Sequence, residues 1–385
     1  MRRGIPYRLV IVISVLVALA IREIAIQPKP SFLRPGLRLS AYVADVGDAA
    51  VSVVDLVNLS VRATVPVGPT PSGLRAHPSR KEIWGVSTDG GYAWILDAPT
   101  NWVVARIPVG AAPYALDFSP DGSRAYIAAS AANLLTAVDC QSRRVVASVH
   151  TGRNPWLGRV TPDGKSVLVT NHDDSTLQVF DSKNLTLRAT IPVATGPAQI
   201  AILPDSSTAF VSATTANQIS VVDLRRNALL SNLPLPGKPA AVLLKPDGGE
   251  LYVTVPEAHE LAIINTWTHQ LADSMLLGST PRDGVISPDG ATIYISDSAA
   301  DRILAVDSAY RTLRSAGPGA GSTGMPPNVG AQPGMCALAP SGDLLIAVDE
   351  GSNDLAVIRI RGQDLVLITL IPVGNTPRDL AIKLY

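Results

Sequence analysis

The stretch PYALDFSPDGSRAYIAAS, residues 113–130, decides the fold because the chain repeats it: PAAVLLKPDGGELYVTVP begins at 239 and PRDGVISPDGATIYISDS at 281. Aligned on the opening proline, equivalent residues fall at Pro71, Pro113, Pro155, Pro197, Pro239 and Pro281, each 42 residues after the last. Pro333 follows after 52 residues and Pro377 after a further 44, so one unit carries an insertion, placed at residues 316–332 (AGPGAGSTGMPPNVGAQ). A period of roughly 40–45 residues with four short apolar runs specifies propeller blades rather than a helical solenoid.

Each unit reads as four strands. Strand A follows the proline, and Pro-Asp-Gly then turns the chain at 120–122, 162–164, 246–248 and 288–290. Proline presets the first turn dihedral and glycine accepts positive φ. Strand B follows (AYIAA, SVLVT, ELYVT, TIYIS), and a polar loop leads to strand C (YAWILD, LLTAVD, TLQVFD, QISVVD, RILAVD). Strand D, of the VRATVPVG type, closes at Gly68, Gly110, Gly152 and Gly196. The acid ending strand C recurs as Asp55, Asp97, Asp139, Asp181, Asp223 and Asp307, with Asn265 in the sixth place. That regularity points to a turn cap accepting backbone N–H groups, not to catalysis.

Seven units start at Pro71, Pro113, Pro155, Pro197, Pro239, Pro281 and Pro333; numbered in that order they are blades 1 to 7. Two incomplete pieces remain. Residues 39–68 supply strands B, C and D, and PRDLAIKLY (377–385) supplies only strand A. Sharing an eighth blade between them removes the open sheet edges of an unclosed ring. The expected fold is an all-β, eight-bladed propeller over 39–385, clasped by its two ends.

Upstream, residues 1–26 read as a signal peptide or signal anchor: Arg2, Arg3 and Arg8 precede LVIVISVLVALAI (9–21), and Ala18-Leu19-Ala20 fits a cleavage site. Residues 27–38 are a Pro-rich tether. The chain is therefore expected outside the cytoplasm, periplasmic or at the cell surface, with a possible membrane tether through this segment. Cys140 and Cys336 sit at different points of the repeat, so no disulfide is expected between them. The 385 residues balance 32 Lys+Arg against 32 Asp+Glu, with no like-charge run beyond pairs, which excludes a nucleic-acid footprint. No motif for covalent haem, zinc hydrolysis, a nucleophile elbow or a phosphate loop is present, so neither cofactor nor metal is called for and catalysis is not indicated. The partner expected is a protein or a cell-surface polymer, and the oligomeric state a monomer.

The D-to-A and B-to-C loops of such a ring share one face, around the channel mouth. There GRNPWLGRV (152–160) and TNHDDST (170–176) place Arg153, Asn154, Trp156, Arg159, His172, Asp173 and Asp174. A Trp beside two guanidiniums suits a planar or sugar ligand bearing a carboxylate or phosphate. Read blandly, Trp156 fills space between blades and the charges are a solvated rim. A second group repeats the word PRD: Arg282-Asp283 and Arg378-Asp379, with Asp297, Asp349 and Glu350 in adjacent loops. Mutual ion pairing around the channel is the plain reading of that group. Glu257, His259 and Glu260 lie in another loop, two blades from His172, without metal-ligand spacing.

The phrases LYVTVP, IPVG and SPDG resemble the YVTN-repeat family of secreted β-propellers across residues 39–385. That resemblance implies a rigid extracytoplasmic platform, and a main reading as a non-enzymatic scaffold recognising a protein, cell-wall or carbohydrate partner. Seven blades are usual there. The count of eight instead resembles the haem d1 propeller of cytochrome cd1 nitrite reductase and its relatives, which implies tetrapyrrole binding or redox service with His172 as the candidate axial ligand. A third reading, from the resemblance to seven-bladed lactonases, is a hydrolase using Glu257, Asp297 and Glu350. The insertion is expected on the mouth face, with Met325 and Pro326-Pro327 as its anchors.

Overall fold

The computed structural model describes residues 37–314, 327–362 and 364–385. The signal segment, most of the tether and residues 316–326 of the insertion, including Met325 and Pro326, lie outside the described residues. Among the described residues no helix is long and apolar enough to cross a membrane.

Residues Leu39–Tyr385 form one compact unit of eight four-stranded antiparallel sheets. In every sheet the strands stand in chain order from A to D, except that the eighth takes its strand A from the other end of the chain. There Pro377–Leu384 pairs with Leu39–Asp45, in a register that sets Tyr42 opposite Ala381 and Ser40 opposite Lys383. Strands Ala50–Asp55 and Ser60–Pro66 complete blade 8. The expected clasp is present.

Burial follows from stacking the sheets face to face around a ring. Middle strands are covered on both faces, so they read as continuous apolar runs: the strands Glu82–Ser87 and Tyr92–Asp97 of blade 1, and Leu344–Asp349 of blade 7, contain no exposed side chain. Each core cluster joins consecutive blades. Tyr42 and Val53 pack with Leu74, Ile83 and Trp94, and Trp84 and Ile95 with Leu116 and Ile127. Outer D strands alternate between exposed and more buried positions, as in Trp102–Pro108. Cys140 and Cys336 are free thiols buried in separate clusters.

The turn chemistry is local and repetitive. At the A-to-B turn Asp121 accepts the N–H of Ser123 at 3.0 Å while Gly122 takes φ +69°, and a Cβ on Gly122 would lie 2.9 Å from His77 of the preceding blade. At the C-to-D turn, Oδ1 of Asp55 accepts the N–H groups of Val57 and Asn58 at 2.9 and 3.0 Å. Asp181, Asp223, Asp307 and Asn265 do the same for their own turns. These recurring acids are structural caps.

The inner strands are Pro71–Ala76, Pro113–Phe118, Pro155–Val160, Pro197–Ile202, Val242–Leu244, Pro281–Ile286, Pro333–Leu338 and Pro377–Leu384. An innermost strand has no further strand to pair with, so one row of its backbone groups faces the channel unpaired by the sheet. What satisfies that row shapes the site.

Candidate functional site at the channel mouth

The D-to-A and B-to-C loops meet on one face, joined by Thr70 to Asp89, by Arg153 to Asp174 at 2.5 Å, and by the His172 N–H to the Asn154 carbonyl at 3.0 Å. On that rim, blade 3 builds a small network. Asp174 accepts both the backbone N–H and the guanidinium of Arg153, while Asn154 Nδ2 and His172 Nδ1 donate to the same oxygen of Asp173, at 3.1 and 2.9 Å. Those two bonds hold Asp173 below the usual carboxylate range, and the Arg153 contacts do the same for Asp174. With Nδ1 of His172 spent on Asp173, its Nε2 is left for another partner.

Trp156 is half-buried, against the apolar cluster that contains Leu157 and Leu168. Its ring lies 4.8 Å from that of Tyr114 and 6.1 Å from the His172 imidazole, at interplanar angles of 41° and 35°. Tyr114 occupies the position after the proline in blade 2, as Trp156 does in blade 3. That shared register is a signal in the sequence, although Tyr114 does not stand out there as a site residue. The result is a row of three rings along the mouth.

Tyr114 also ties the two sequence-predicted groups together. Burial raises its hydroxyl, Asp379 adds to the rise, and Arg378 and Arg282 oppose it, so these charges from blades 8 and 6 reach it electrostatically. Arg378 makes no ion pair among the described residues and is exposed. Arg282 pairs with Glu350 at 2.9 Å.

Within that group Arg282 and Glu350 form an ion pair with one another, so the ion-pair reading holds for those two and not for the PRD aspartates, which pair with neither arginine among the described residues. Asp283 and Asp379 turn down along the channel and cap open strand edges. Asp379 accepts the Leu74 N–H of blade 1 at 2.9 Å and its own neighbour's N–H, from Leu380, at 2.8 Å. Asp283 accepts from the backbone of Gly284 and, in blade 7, of Cys336; burial nevertheless pushes it up to about 6. Asp117 and Gln199 play the same part for Val160 and Val242, at 3.0 and 3.2 Å. Nothing in the sequence alone singles these two out.

Asp297 and Asp349 lie buried under the mouth-face loops of blades 6 and 7 and are not joined to the blade 3 network. Asp297 is fully buried, accepts the N–H groups of Ser279 and Thr280 at 3.1 and 2.7 Å, and pairs with Arg302 at 3.1 Å. Asp349 accepts the Gly330 N–H at 3.0 Å and faces Asp354. Arg159 leaves the rim too: four residues past its proline, it lies within the channel, 3.8 Å from Asp117. His259 contacts the Ser279 carbonyl, and Glu257 pairs with Lys238 at 3.7 Å, so that loop is not joined to the mouth network. Of the insertion, Asn328 bridges to Arg302 and Val329 donates to Asp301, placing this described end beside the B-to-C loop of blade 6, on the mouth face.

Residues 81–209 match the cytochrome D1 heme domain family. The match covers 129 of 385 residues, and within it fall Tyr114, Trp156, His172 and Arg159. Among solved structures, a dihydro-heme d1 dehydrogenase, NirN, determined in complex with DHE, is similar over 93% of this chain and 78% of its own, with a TM-score of 0.71 and 18% identity. Kuenenia stuttgartiensis hydrazine synthase is similar over 76% of this chain and 96% of its own, with a TM-score of 0.59 and 21% identity. At such identities the likeness is one of fold. No curated protein matches this chain in sequence.

Proposed function

We propose that the channel mouth binds a planar, carboxylate-bearing tetrapyrrole and that the protein is an exported, tetrapyrrole-binding or redox-associated propeller. The observation that carries this reading is the ring row Tyr114–Trp156–His172, which ends in an imidazole whose Nδ1 is fixed by Asp173. The residues fit the group. Aromatic faces stack on a flat macrocycle. A histidine whose other nitrogen donates to a carboxylate has a set tautomer and a more basic free nitrogen, the usual preparation of a metal-ligating imidazole. Arg378 and Arg282 are cations for acidic side arms, and guanidiniums take carboxylates in bidentate fashion.

A haem-type group held here would supply one-electron chemistry at its iron. The chain's own contribution is positioning. Trp156 and Tyr114 orient the plane, Asp173 holds the proton on His172 Nδ1, and the Arg282–Glu350 pair sets an arm site at the rim. The family match over the three-ring stretch and the fold likeness to a dehydrogenase solved with DHE support the same reading. Export rests on the sequence of residues 1–26 alone. The alternative partner, a protein or cell-wall polymer, suits this face less well, because Trp156 is half-buried against blade 3 rather than raised on the surface.

The test is an absorbance titration of haemin into the purified full chain. A saturable Soret shift is expected, with His172→Ala altering the band position and Trp156→Ala weakening affinity by about tenfold, the loss of one stacking contact of about 1–1.5 kcal/mol. No saturable shift in the wild type, or one that both variants leave unchanged, would overturn the proposal.

A further inference from the structure

Below the ring row, the channel holds charges that the mouth does not use. Its carboxylates are committed to backbone: Asp379 to Leu74 and Leu380, Asp117 to Val160, and Asp283 to Gly284 and Cys336. Its guanidiniums have no such commitment. The Arg159 guanidinium makes no hydrogen bond among the described residues, and its nearest carboxylate oxygen, on Asp117, stands at 3.8 Å, beyond hydrogen-bond distance. Arg75, in the same position of blade 1, donates only to its neighbour's carbonyl, Leu74, at 2.9 Å. The Arg159 side chain keeps 33% of its surface open to the channel.

Two guanidiniums that feel one another's charge, in a channel walled by protein and short of acceptors, are an incomplete arrangement. Burial and the charge of Arg75 both hold Arg159 below its ordinary value, while Asp117 compensates only in part. Asp379 offers Arg75 a charge, but the hydrogen bonds its oxygens accept come from the backbone N–H groups of Leu74 and Leu380 and not from Arg75. A guanidinium presents five donors in a planar fork, which matches a carboxylate or another small oxyanion.

We infer that the channel throat is an anion site in which Arg159, supported by Arg75, holds one carboxylate or comparable oxyanion. The site stands on the channel alone and does not depend on what the mouth binds. Its occupant is either a free small anion or the acidic arm of a larger ligand seated above.

Titration calorimetry of sodium acetate into the full chain, in low-chloride buffer, tests it. One saturable site is expected in the wild type, weakened at least tenfold in Arg159→Gln. Asp117→Asn supplies an independent arm: the amide oxygen still accepts the Val160 N–H, but the competing negative charge is gone, so acetate should bind several-fold more tightly. Equal binding by wild type and Arg159→Gln, absence of binding in the wild type, or weaker binding by Asp117→Asn would each overturn the proposal. Repeating the titration on haemin-saturated protein separates the sources. Unchanged acetate affinity identifies a free-anion site, and competition identifies the seat of an acidic arm.

Discussion

Blade 7 carries a carboxyl pair where blade 6 carries an ion pair, and exchanging one for the other should change how stability depends on pH. Asp349 faces Asp354 across the B and C strands in the register that sets Asp297 opposite Arg302 one blade earlier. Asp349 is fully buried, and burial together with the Asp354 carboxyl pushes it up to about 9. An unfolded aspartate titrates near 4. Between those values the folded chain holds a proton that the unfolded chain has released, so stability must decline as pH rises through this window. Asp354→Arg should remove that slope. The surroundings match: a Cβ built on Gly278 in blade 6 would meet Asp297 and Arg302, and one built on Gly330 in blade 7 would meet Asp349 and Asp354, so the two pockets share a geometry. Asp301, whose charge also raises Asp349, would gain a cation nearby. Replacing the carboxyl that faces the buried Asp349 with a guanidinium that can form a hydrogen-bonded ion pair should stabilise by about 1–3 kcal/mol at pH 8. At pH 4.5, where Asp349 keeps its proton in the wild type, the gain should vanish. Urea unfolding followed by tryptophan fluorescence at both pH values reads the difference. An equal effect at the two pH values, or destabilisation at pH 8, would refute the assignment of a retained proton to Asp349.

Asp379→Ala leaves the Leu74 N–H without its partner and should cost about 1–3 kcal/mol in urea unfolding, whereas Asp379→Asn keeps an acceptor and should lie within about 1 kcal/mol of wild type. Gly73 stands at φ +60°, and a Cβ there would lie 2.8 Å from the Tyr114 carbonyl oxygen, so Gly73→Ala should destabilise by about 1–3 kcal/mol and shift the near-ultraviolet circular dichroism of the mouth aromatics. His77 is held neutral: Nδ1 accepts the N–H groups of Ser79 and Arg80 at 3.2 and 3.0 Å, Nε2 donates to the Gly122 carbonyl at 3.0 Å, and burial lowers its pKa. A lowered histidine pKa gives stability that is complete above about pH 6.5 and lost as pH falls below it, so the deficit of His77→Ala in urea unfolding should shrink between pH 7 and pH 5.

The blades, their turns and the terminal clasp were all legible because each rests on short-range chemistry repeated at a constant interval. Pro-Asp-Gly makes its turn with its own residues, and the strand C acid caps N–H groups two and three positions on. The mouth was legible in part. Arg153, Asn154, His172, Asp173 and Asp174 come together because two loops of one blade carry them. Partners drawn from different blades were not legible. Arg282 finds Glu350, 68 residues away, rather than the aspartate beside it, because ring geometry and not chain proximity chooses the neighbour. Tyr114 joins Trp156 for the same reason.

The channel caps reveal a longer interval than the blade. Asp117, Gln199, Asp283 and Asp379 belong to blades 2, 4, 6 and 8, and each reaches forward to an inner-strand N–H of the next blade. Two residues past the proline, blades 4, 6 and 8 place Gln199, Asp283 and Asp379, whereas blades 1, 3, 5 and 7 place Gly73, Leu157, Ala241 and Met335, none of which can accept a hydrogen bond of comparable strength; blade 2 has Ala115 there and uses Asp117, two residues further on. At four of the eight blade junctions an inner-strand side chain therefore accepts an N–H of the next blade's inner strand. The backbone repeats every blade, while a side-chain acceptor on the next blade's inner edge is found in every second one, two residues past the proline in blades 4, 6 and 8 and four past it in blade 2. This alternation also explains where the unspent cations lie. Arg75 and Arg159 occupy blades 1 and 3, in which no acid of the inner strand is available to claim the next blade's N–H, and the Asp117 between them is already committed to Val160. A throat lined in this way keeps its negative groups bound to backbone and its positive groups facing the open channel, the arrangement on which the anion site depends.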